Sequence, residues 1–248
     1  MTNIVAHIIM SALALILGQA AGHLVKKMPP VVSEKITYKE FFKTLFQDFK
    51  IDFIYTPILL VLYNAFVYFL GNVYSIYLYA IVSFALVIVF NIDSKYRLIP
   101  DEAHIVIVAC SIVNLFFNLN MWWSYLAGAV VGGLIFWLLG LLALLIFRKE
   151  GMGFGDVKLM AALGLFFGLK NILVVTLVSF VFGAVFGVIF LIMKRGQSDG
   201  YIPFGPFIVI GAVILMFVPA NDIINIYITF CKWLGDSIFG LIYKITGN

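Results

Sequence analysis

Two aspartates lie at the ends of apolar stretches, where charged residues are rare. Asp93 follows the apolar run that ends at Phe90, and Asp156 opens another apolar run directly after a glycine-rich segment. A charged side chain at membrane depth costs about 2.5 to 3.5 kcal/mol on insertion scales, so an acid at such a boundary favours a functional interpretation. A lone acid in this position could instead serve as a helix cap or as a charge that sets topology.

A pair of carboxylates brought together would suit the hydrolysis of a peptide bond. Like charges at short range do not both ionise, so such a pair shares one proton and its two titrations separate. The ionised carboxylate takes a proton from water as it attacks, and the protonated one donates to the carbonyl oxygen, without a metal or a covalent intermediate. The same two acids would also suit a proton or cation site in a transporter or channel, and the pattern alone leaves both alternatives open.

Glycines precede the second aspartate in the segment Gly151-Met152-Gly153-Phe154-Gly155-Asp156-Val157-Lys158. Glycine allows unusual backbone torsions and close backbone approach, so we expect an extended peptide to lie beside Asp156. The apolar stretch that follows predicts a helix, and Lys158 lies about 200° around that helix from Asp156. We therefore expect Lys158 to snorkel to the membrane interface rather than to neighbour Asp156.

The elements that hold these residues must be membrane helices, because the composition excludes a soluble fold. Of the 248 residues, 64% are hydrophobic and 11% are charged, whereas an average soluble domain carries about 25% charged residues. A hydrocarbon layer of roughly 30 Å requires about 20 apolar residues per helix. The sequence predicts an all-α transmembrane bundle of about eight spans, near residues 4–25, 53–71, 73–91, 102–118, 123–147, 155–169, 171–193 and 203–219.

The basic residues predict how this bundle is oriented, since cytoplasmic loops carry the excess of lysine and arginine. The connections after the first, third, fifth and seventh spans contain twelve such residues, and the alternate connections contain Lys170 alone. We therefore expect the amino terminus outside, and Asp93 and Asp156 together at the cytoplasmic face.

The two ends of the chain predict further segments beside the bundle (residues 53–219). Within residues 1–52, the first connection from Thr37 to Asp52 has an aromatic face opposite lysines, which predicts a cytoplasmic amphipathic helix in the headgroup layer. A soluble helix that packs on other loops is the alternative. Within residues 220–248, the apolar segment 222–243 either lies at the interface or forms a ninth span.

Three motifs occur in order along the chain. They are Asp93 with Leu98-Ile99-Pro100-Asp101, then Gly153-Phe154-Gly155-Asp156-Val157-Lys158, then Ile202-Pro203-Phe204-Gly205-Pro206-Phe207. Together they resemble the motifs of the prepilin and preflagellin peptidases, the GxGD-type membrane aspartic peptidases of type IV pilus and type II secretion systems. Gly18, Lys27 and Pro29 are similar to the residues that end the first span in bacterial members. The resemblance covers about residues 10 to 219.

The resemblance implies an endopeptidase of the bacterial inner membrane that cleaves the leader of a prepilin or pseudopilin at the cytoplasmic face. Its partners would be that substrate and membrane lipid, not nucleic acid. It implies that Asp93 and Asp156 are catalytic and that Asp101 is a helix N-cap after Pro100. His104 lies one turn into that helix, where we expect it to be packed or interfacial. The residues expected to position the site or the substrate are Gly153, Gly155, Lys158, Pro100, Asp101 and Gly205.

The first cytoplasmic loop departs from the family pattern, in which many bacterial members carry a four-cysteine zinc motif and also N-methylate the product. This loop has no cysteine, and Cys110 and Cys231 lie in apolar stretches where we expect them to pack. We therefore expect no metal site and no cofactor for cleavage, with S-adenosylmethionine needed only if methylation is retained. Gln19 and Gly22 replace the usual serine and asparagine. Presenilin-like GxGD proteases are disfavoured, since their Tyr-Asp and Pro-Ala-Leu elements are absent.

Overall fold

The computed structural model describes residues 2–34, 54–71, 74–148, 152–194 and 203–246. These residues form nine α-helices and a short 3-10 turn at Leu119–Met121, with no strand among them, so the predicted all-α fold is confirmed. The helices are α1 (Thr2–Glu34), α2 (Tyr55–Leu70), α3 (Tyr74–Tyr96), α4 (Asp101–Phe117), α5 (Trp122–Phe147), α6 (Phe154–Phe167), α7 (Leu169–Lys194), α8 (Gly205–Phe217) and α9 (Ala220–Thr246).

Several of these helices are long and apolar enough to cross a membrane, which identifies a membrane protein. The four stretches among the described residues are Ile4–Val25, Tyr74–Tyr96, Leu119–Ile146 and Leu169–Phe190. A fifth candidate is the pair of α8 and α9, which is bent by 112° at its junction. The remaining helices are shorter, so the eight-span count and the orientation stay predictions. The amphipathic helix predicted for residues 37–52 lies outside the described residues.

Close glycine contacts hold α5 against α6. A Cβ on Gly128 would overlap the carbonyl oxygen of Gly164, and one on Gly164 would overlap Gly128 in turn. One turn further along, a Cβ on Gly132 would lie 2.7 Å from the carbonyl oxygen of Met160. Small residues let helix backbones approach in this way. This crossing fixes α6, whose first turn carries Asp156.

Helix α3 runs through the middle of the bundle, in contact with α1, α4 and α8. Polar side chains inside the bundle bond to backbone carbonyls: the Tyr63 hydroxyl donates to Ala80 over 2.6 Å, and Ser83 donates to the same oxygen over 3.0 Å. A bilayer interior offers no water to polar groups, so such internal partners are required. Because α3 packs against these helices, its last turn, which carries Asp93, lies inside the bundle.

The end of the bundle furthest from Asp93 and Asp156 carries a cluster of aromatic residues. The Trp122 and Trp123 rings stack with centroids 4.0 Å apart at the start of α5. Asn118 donates to the Tyr74 hydroxyl over 2.8 Å nearby, where α3 begins. Tryptophan and tyrosine concentrate at membrane–water interfaces, so this aromatic end marks the level of one interface.

Candidate active site

Asp93 lies in the last turn of α3 and is 5% exposed. Its Oδ2 accepts a hydrogen bond of 2.9 Å from the backbone N–H of Gly205, the first residue of α8. The first amides of a helix have no partner within the helix and carry its positive dipole end. The amino terminus of α8 therefore binds the Asp93 carboxylate.

Gly205 makes this contact possible because it has no side chain. A Cβ at this position would lie 2.6 Å from Asp93 Oδ2 and 3.0 Å from Asp93 Cγ. Contacts under 3.0 Å require atoms to move, and here the atoms in the way are those of the carboxylate. The third sequence motif, through Gly205, thus donates a hydrogen bond to Asp93 of the first motif.

Asp156 lies in the first turn of α6 and is also 5% exposed. The preceding Gly153 has extended backbone (φ −73°, ψ 144°) and acts as the N-cap residue of α6. Its carbonyl accepts a hydrogen bond of 3.1 Å from the backbone N–H of Asp156. The Oδ1 atom of Asp156 is buried, and none of the described residues donates a hydrogen bond to it.

The two carboxylates line one cavity of about 300 Å³. Asp93 is close enough to act on Asp156 electrostatically, although the two residues are far apart in sequence. Four of the predicted positioning residues line the same cavity: Gly153, Gly155, Asp101 and Lys158. Gly205 does not line it but bonds to Asp93, which does. Pro100 is buried as the N-cap residue of α4. The remaining lining residues are Arg97, Leu98, Ile99 and Phe154.

Asp101 is not a helix N-cap, and this prediction is wrong. Helix α4 begins at Asp101 itself, and the extended Pro100 before it (ψ 137°) holds the cap position. The Asp101 carboxylate instead accepts a hydrogen bond of 2.9 Å from Lys158 Nζ, with both side chains partly exposed. This bond holds the pKa of Asp101 below its usual value. Lys158, which was expected to snorkel, pairs with an acid across the cavity mouth.

His104 contributes a contact that the sequence did not reveal. Its Nε2 lies 3.2 Å from the carbonyl oxygen of Gly155, and because a carbonyl only accepts, Nε2 must carry the proton. The histidine is buried, as predicted, and its Nδ1 lies 3.5 Å from Asp101 Oδ1. His104 therefore connects α4 to the peptide group directly before Asp156. The signal that could have found it is its position three residues after Asp101.

Arg97 is a second site residue that the sequence did not reveal, since as a basic residue it indicated only the orientation of the bundle. It ends α3 in the left-handed region (φ 56°), and its N–H donates to the carbonyl oxygen of Asp93 over 2.9 Å. It lines the cavity, and its charge acts on Asp93. A basic residue four positions after a candidate catalytic acid is the signal that was available.

The cysteines differ from each other, and neither belongs to the cavity. Cys110 is buried, as predicted, whereas Cys231 is exposed, so the packing prediction is wrong for Cys231. The reason is that Cys231 lies on α9, beyond the residues of that helix that pack on the core. Within the part of the chain that the structure describes, no group of three or more His, Cys, Asp or Glu could hold a metal ion.

The site thus defines a helical membrane protein with two buried carboxylates in one cavity. Residues 80–188 match the model of the type IV leader peptidase family, the family whose motifs the sequence resembles. Both aspartates lie within the matched residues. No solved structure matches the chain.

Three curated bacterial relatives carry the name "Prepilin leader peptidase/N-methyltransferase". The protein from Xanthomonas campestris pv. campestris is 38% identical over 151 residues, 60% of this chain and 52% of the relative. The one from Stutzerimonas stutzeri is 36% identical over 146 residues, 57% of this chain and 49% of the relative. The one from Pseudomonas aeruginosa is 36% identical over 129 residues, 50% and 43% respectively. The chain spans about half the length of these relatives.

Proposed function

We propose that this chain is a membrane aspartic endopeptidase that removes the leader peptide of type IV prepilins or pseudopilins. The observation that carries the proposal is the shared cavity of Asp93 and Asp156, two buried acids from separate motifs inside the family-matched region. The printed name of the relatives supports the substrate class. In this proposal Asp93 and Asp156 are the catalytic pair.

The surroundings of the two acids support different roles for them. A hydrogen bond to a charged group is worth about 1.5 to 3 kcal/mol, and the Gly205 N–H gives Asp93 such a bond. Asp93 is then the ionised member that accepts a proton from the attacking water. Asp156, whose Oδ1 lacks a donor among the described residues, is the protonated member. It donates to the carbonyl oxygen of the scissile bond, and the two acids exchange roles as the leaving amine takes up its proton.

The remaining lining residues would position the substrate. Gly153 and Gly155 leave backbone without side chains next to Asp156, where an extended peptide can approach closely. Phe154 is 65% exposed beside them and offers an apolar surface. Lys158 and Asp101 present a balanced charge pair at the cavity mouth. The leader segment would therefore bind mainly through its backbone near the scissile bond.

We place this site at the cytoplasmic face of a bacterial inner membrane. Four basic residues lie in or beside the helix ends that meet at the site; they are Lys95, Arg97, Arg148 and Lys158. Lys170 lies in the first turn of α7, at the other end of the bundle. Cytoplasmic ends of membrane helices carry this excess of positive charge.

Cleavage in this proposal requires no metal and no cofactor, because two carboxylates suffice to activate water. The names of the relatives also include N-methyltransferase, which makes S-adenosylmethionine a second candidate ligand. Whether this chain methylates is tested by a mass spectrum of the cleaved product after incubation with S-adenosylmethionine. We expect little or no methylated product, since the first loop has none of the cysteines that build the family's zinc motif.

The decisive experiment incubates the purified protein in detergent with a prepilin and follows the appearance of a shortened product. We expect cleavage in the presence of EDTA, and none with Asp93→Asn. Uptake of protons or cations into vesicles that depends on both acids, without cleavage, would favour the transporter alternative. Loss of cleavage in EDTA that zinc restores would refute the two-carboxylate mechanism.

A further inference from the structure

Helix α9 (Ala220–Thr246) turns away from the bundle instead of running along it. It is 27 residues long and follows α8 after a bend of 112°, so it runs across the direction of α8. Its first turns anchor it: Ala220 is buried, and Ile223 and Ile224 pack against the core. At the same point Lys170 of α7 donates a hydrogen bond to the side chain of Asn221.

One face of α9 is polar and the opposite face is apolar. The polar residues recur at alternating steps of three and four, as a single helix face requires; they are Asp222, Asn225, Thr229, Lys232 and Asp236. The opposite face carries Tyr227, Phe230, Leu234 and Ile238, each between 42% and 55% exposed. The bundle therefore leaves this apolar face uncovered after the first turns of α9.

The position of α9 along the bundle is fixed by the helices around it. Helix α8 begins at Gly205, on the Asp93 carboxylate, and α9 follows the other end of α8. That end adjoins Lys170, at the start of α7, and belongs to the aromatic end of the bundle with Trp122 and Trp123. Helix α9 therefore starts at the level where the aromatic residues mark a membrane interface.

We propose that α9 lies along the lipid headgroup layer of the membrane face opposite the carboxylate pair. Its apolar face then contacts acyl chains, and its polar face contacts headgroups and water, over a helix about 40 Å long. The residues 220–246 contain two acidic and two basic side chains, Asp222 and Asp236 with Lys232 and Lys244. Because these charges cancel, apolar burial holds the helix, and zwitterionic phospholipid suffices as the partner.

A transmembrane α9 fits the structure less well, although 27 residues are long enough to cross. A crossing helix would place Lys232 and Asp236 in hydrocarbon, at about 2.5 to 3.5 kcal/mol each. Because α9 starts at the interface where α8 ends, a crossing α9 would also have to fold back beside α8, which requires a wider bend than the observed 112°. The interfacial position costs neither, since the polar face stays in water along the whole described length.

The test measures the depth of labels along α9 in the intact protein, reconstituted in phosphatidylcholine vesicles. Single cysteines replace Asp222, Thr229 or Asp236 in a Cys110→Ala, Cys231→Ala background, and each carries a fluorophore that lipids brominated at known depths can quench. We expect all three labels at one shallow depth. A steady change along the helix, roughly 20 Å between positions 222 and 236 at about 1.5 Å per residue, would overturn the proposal in favour of a span.

Two further labels complete the test. A label at Leu134→Cys, in the middle of the membrane helix α5, gives the deep reference. A label on the native Cys231 of the unmodified chain, where Cys110 is buried, reports the apolar face of α9 without any substitution. We expect quenching at Cys231 from just below the headgroups, unchanged when half of the lipid is made anionic. Protection of Cys231 from lipid quenching together with its cross-linking between two copies would overturn the proposal in favour of a dimer. Because no cleavage is measured, the result is independent of the proposed peptidase function.

Discussion

The two carboxylates of the site are equally buried but are held in opposite ways. Asp93 ends a 23-residue helix at the centre of the bundle, and the backbone of another helix donates to it. Asp156 opens a 14-residue helix, behind a glycine-rich segment, and its Oδ1 has no donor among the described residues. The dipoles of the two helices that carry the acids would favour the reverse assignment, since Asp156 lies at the positive end of α6 and Asp93 at the negative end of α3.

The free energies of the helix dipole and of the hydrogen bond decide which carboxylate is ionised. A dipole contributes about 0.3 to 1 kcal/mol at a helix end, whereas a direct bond from an N–H to a carboxylate contributes about 1.5 to 3 kcal/mol. The amide of Gly205 therefore outweighs the dipole of α3 at Asp93. The bond from Gly205 therefore keeps Asp93 ionised, and Asp156, whose Oδ1 has no donor among the described residues, is free to hold a proton for the substrate.

The largest expected effect comes from removing either acid. We predict that Asp93→Asn and Asp156→Asn each lower cleavage at least about 1000-fold while the protein still inserts, because the members of such a pair act as a unit. Any residual rate should be larger for Asp156→Asn, since an asparagine amide can still donate to the carbonyl oxygen. Prepilin cleavage and membrane fractionation provide the measurements. More residual activity in Asp93→Asn than in Asp156→Asn would reverse the assigned roles.

The second effect concerns the donor that distinguishes the two acids. We predict that Gly205→Ala lowers cleavage about 100-fold, because the new Cβ would lie 2.6 Å from Asp93 Oδ2 and displace the carboxylate from its amide. Gly235→Ala is the matched control, since a Cβ at Gly235 meets nothing within 4 Å. Rates for both variants should be measured at equal amounts of inserted protein. Full activity in Gly205→Ala would show that the amide contact does not matter to the reaction.

The third effect concerns Asp156, because His104 contacts the peptide group directly before this acid. We predict that His104→Ala lowers cleavage about 10-fold, because the Gly155 carbonyl loses its donor and the glycine segment loosens. His104→Gln should recover most of the rate, since a glutamine amide can also donate to that carbonyl. A kcat that falls equally in both variants would mean that His104 acts through its ring rather than through this bond.

Sequence patterns predicted the features that depend on residues close together along the chain. The apolar stretches predicted eight helices, and apart from the end of α1, which runs to Glu34, the predicted bounds lie within about five residues of the observed ones, because helix formation there follows local apolarity. The motifs and the shared membrane face predicted that Asp93 and Asp156 would meet. The first inference rests on length and apolarity, and the second rests on the family motifs and the distribution of basic residues.

The contacts that join distant segments were not predictable in this way. The bond from Gly205 to Asp93 spans 112 positions and that from Lys158 to Asp101 spans 57, so each depends on how helices pack. The direction of α9 also escaped prediction, because a crossing helix and an interfacial helix need similar numbers of apolar residues. The bend after α8 and the polar face along α9 are the observations from which we propose the interfacial position.

The smallest expected effect belongs to the ion pair at the cavity mouth, which tests whether a third acid takes part in the chemistry. Asp101 is 67% exposed and Lys158 is 44% exposed, and exposed pairs contribute about 0 to 1 kcal/mol. We predict that Asp101→Asn and Lys158→Met each change cleavage less than about fivefold, and that the double variant resembles the single ones. Molar salt should have a similarly small effect on the unmodified protein, since salt screens an exposed pair.

The lowered pKa of Asp101 keeps this carboxylate ionised throughout the neutral range, where it cannot donate a proton to a substrate. Abolition of cleavage by Asp101→Asn, with Lys158→Met still active, would place Asp101 among the catalytic acids. The mechanism would then need three carboxylates rather than the pair of Asp93 and Asp156.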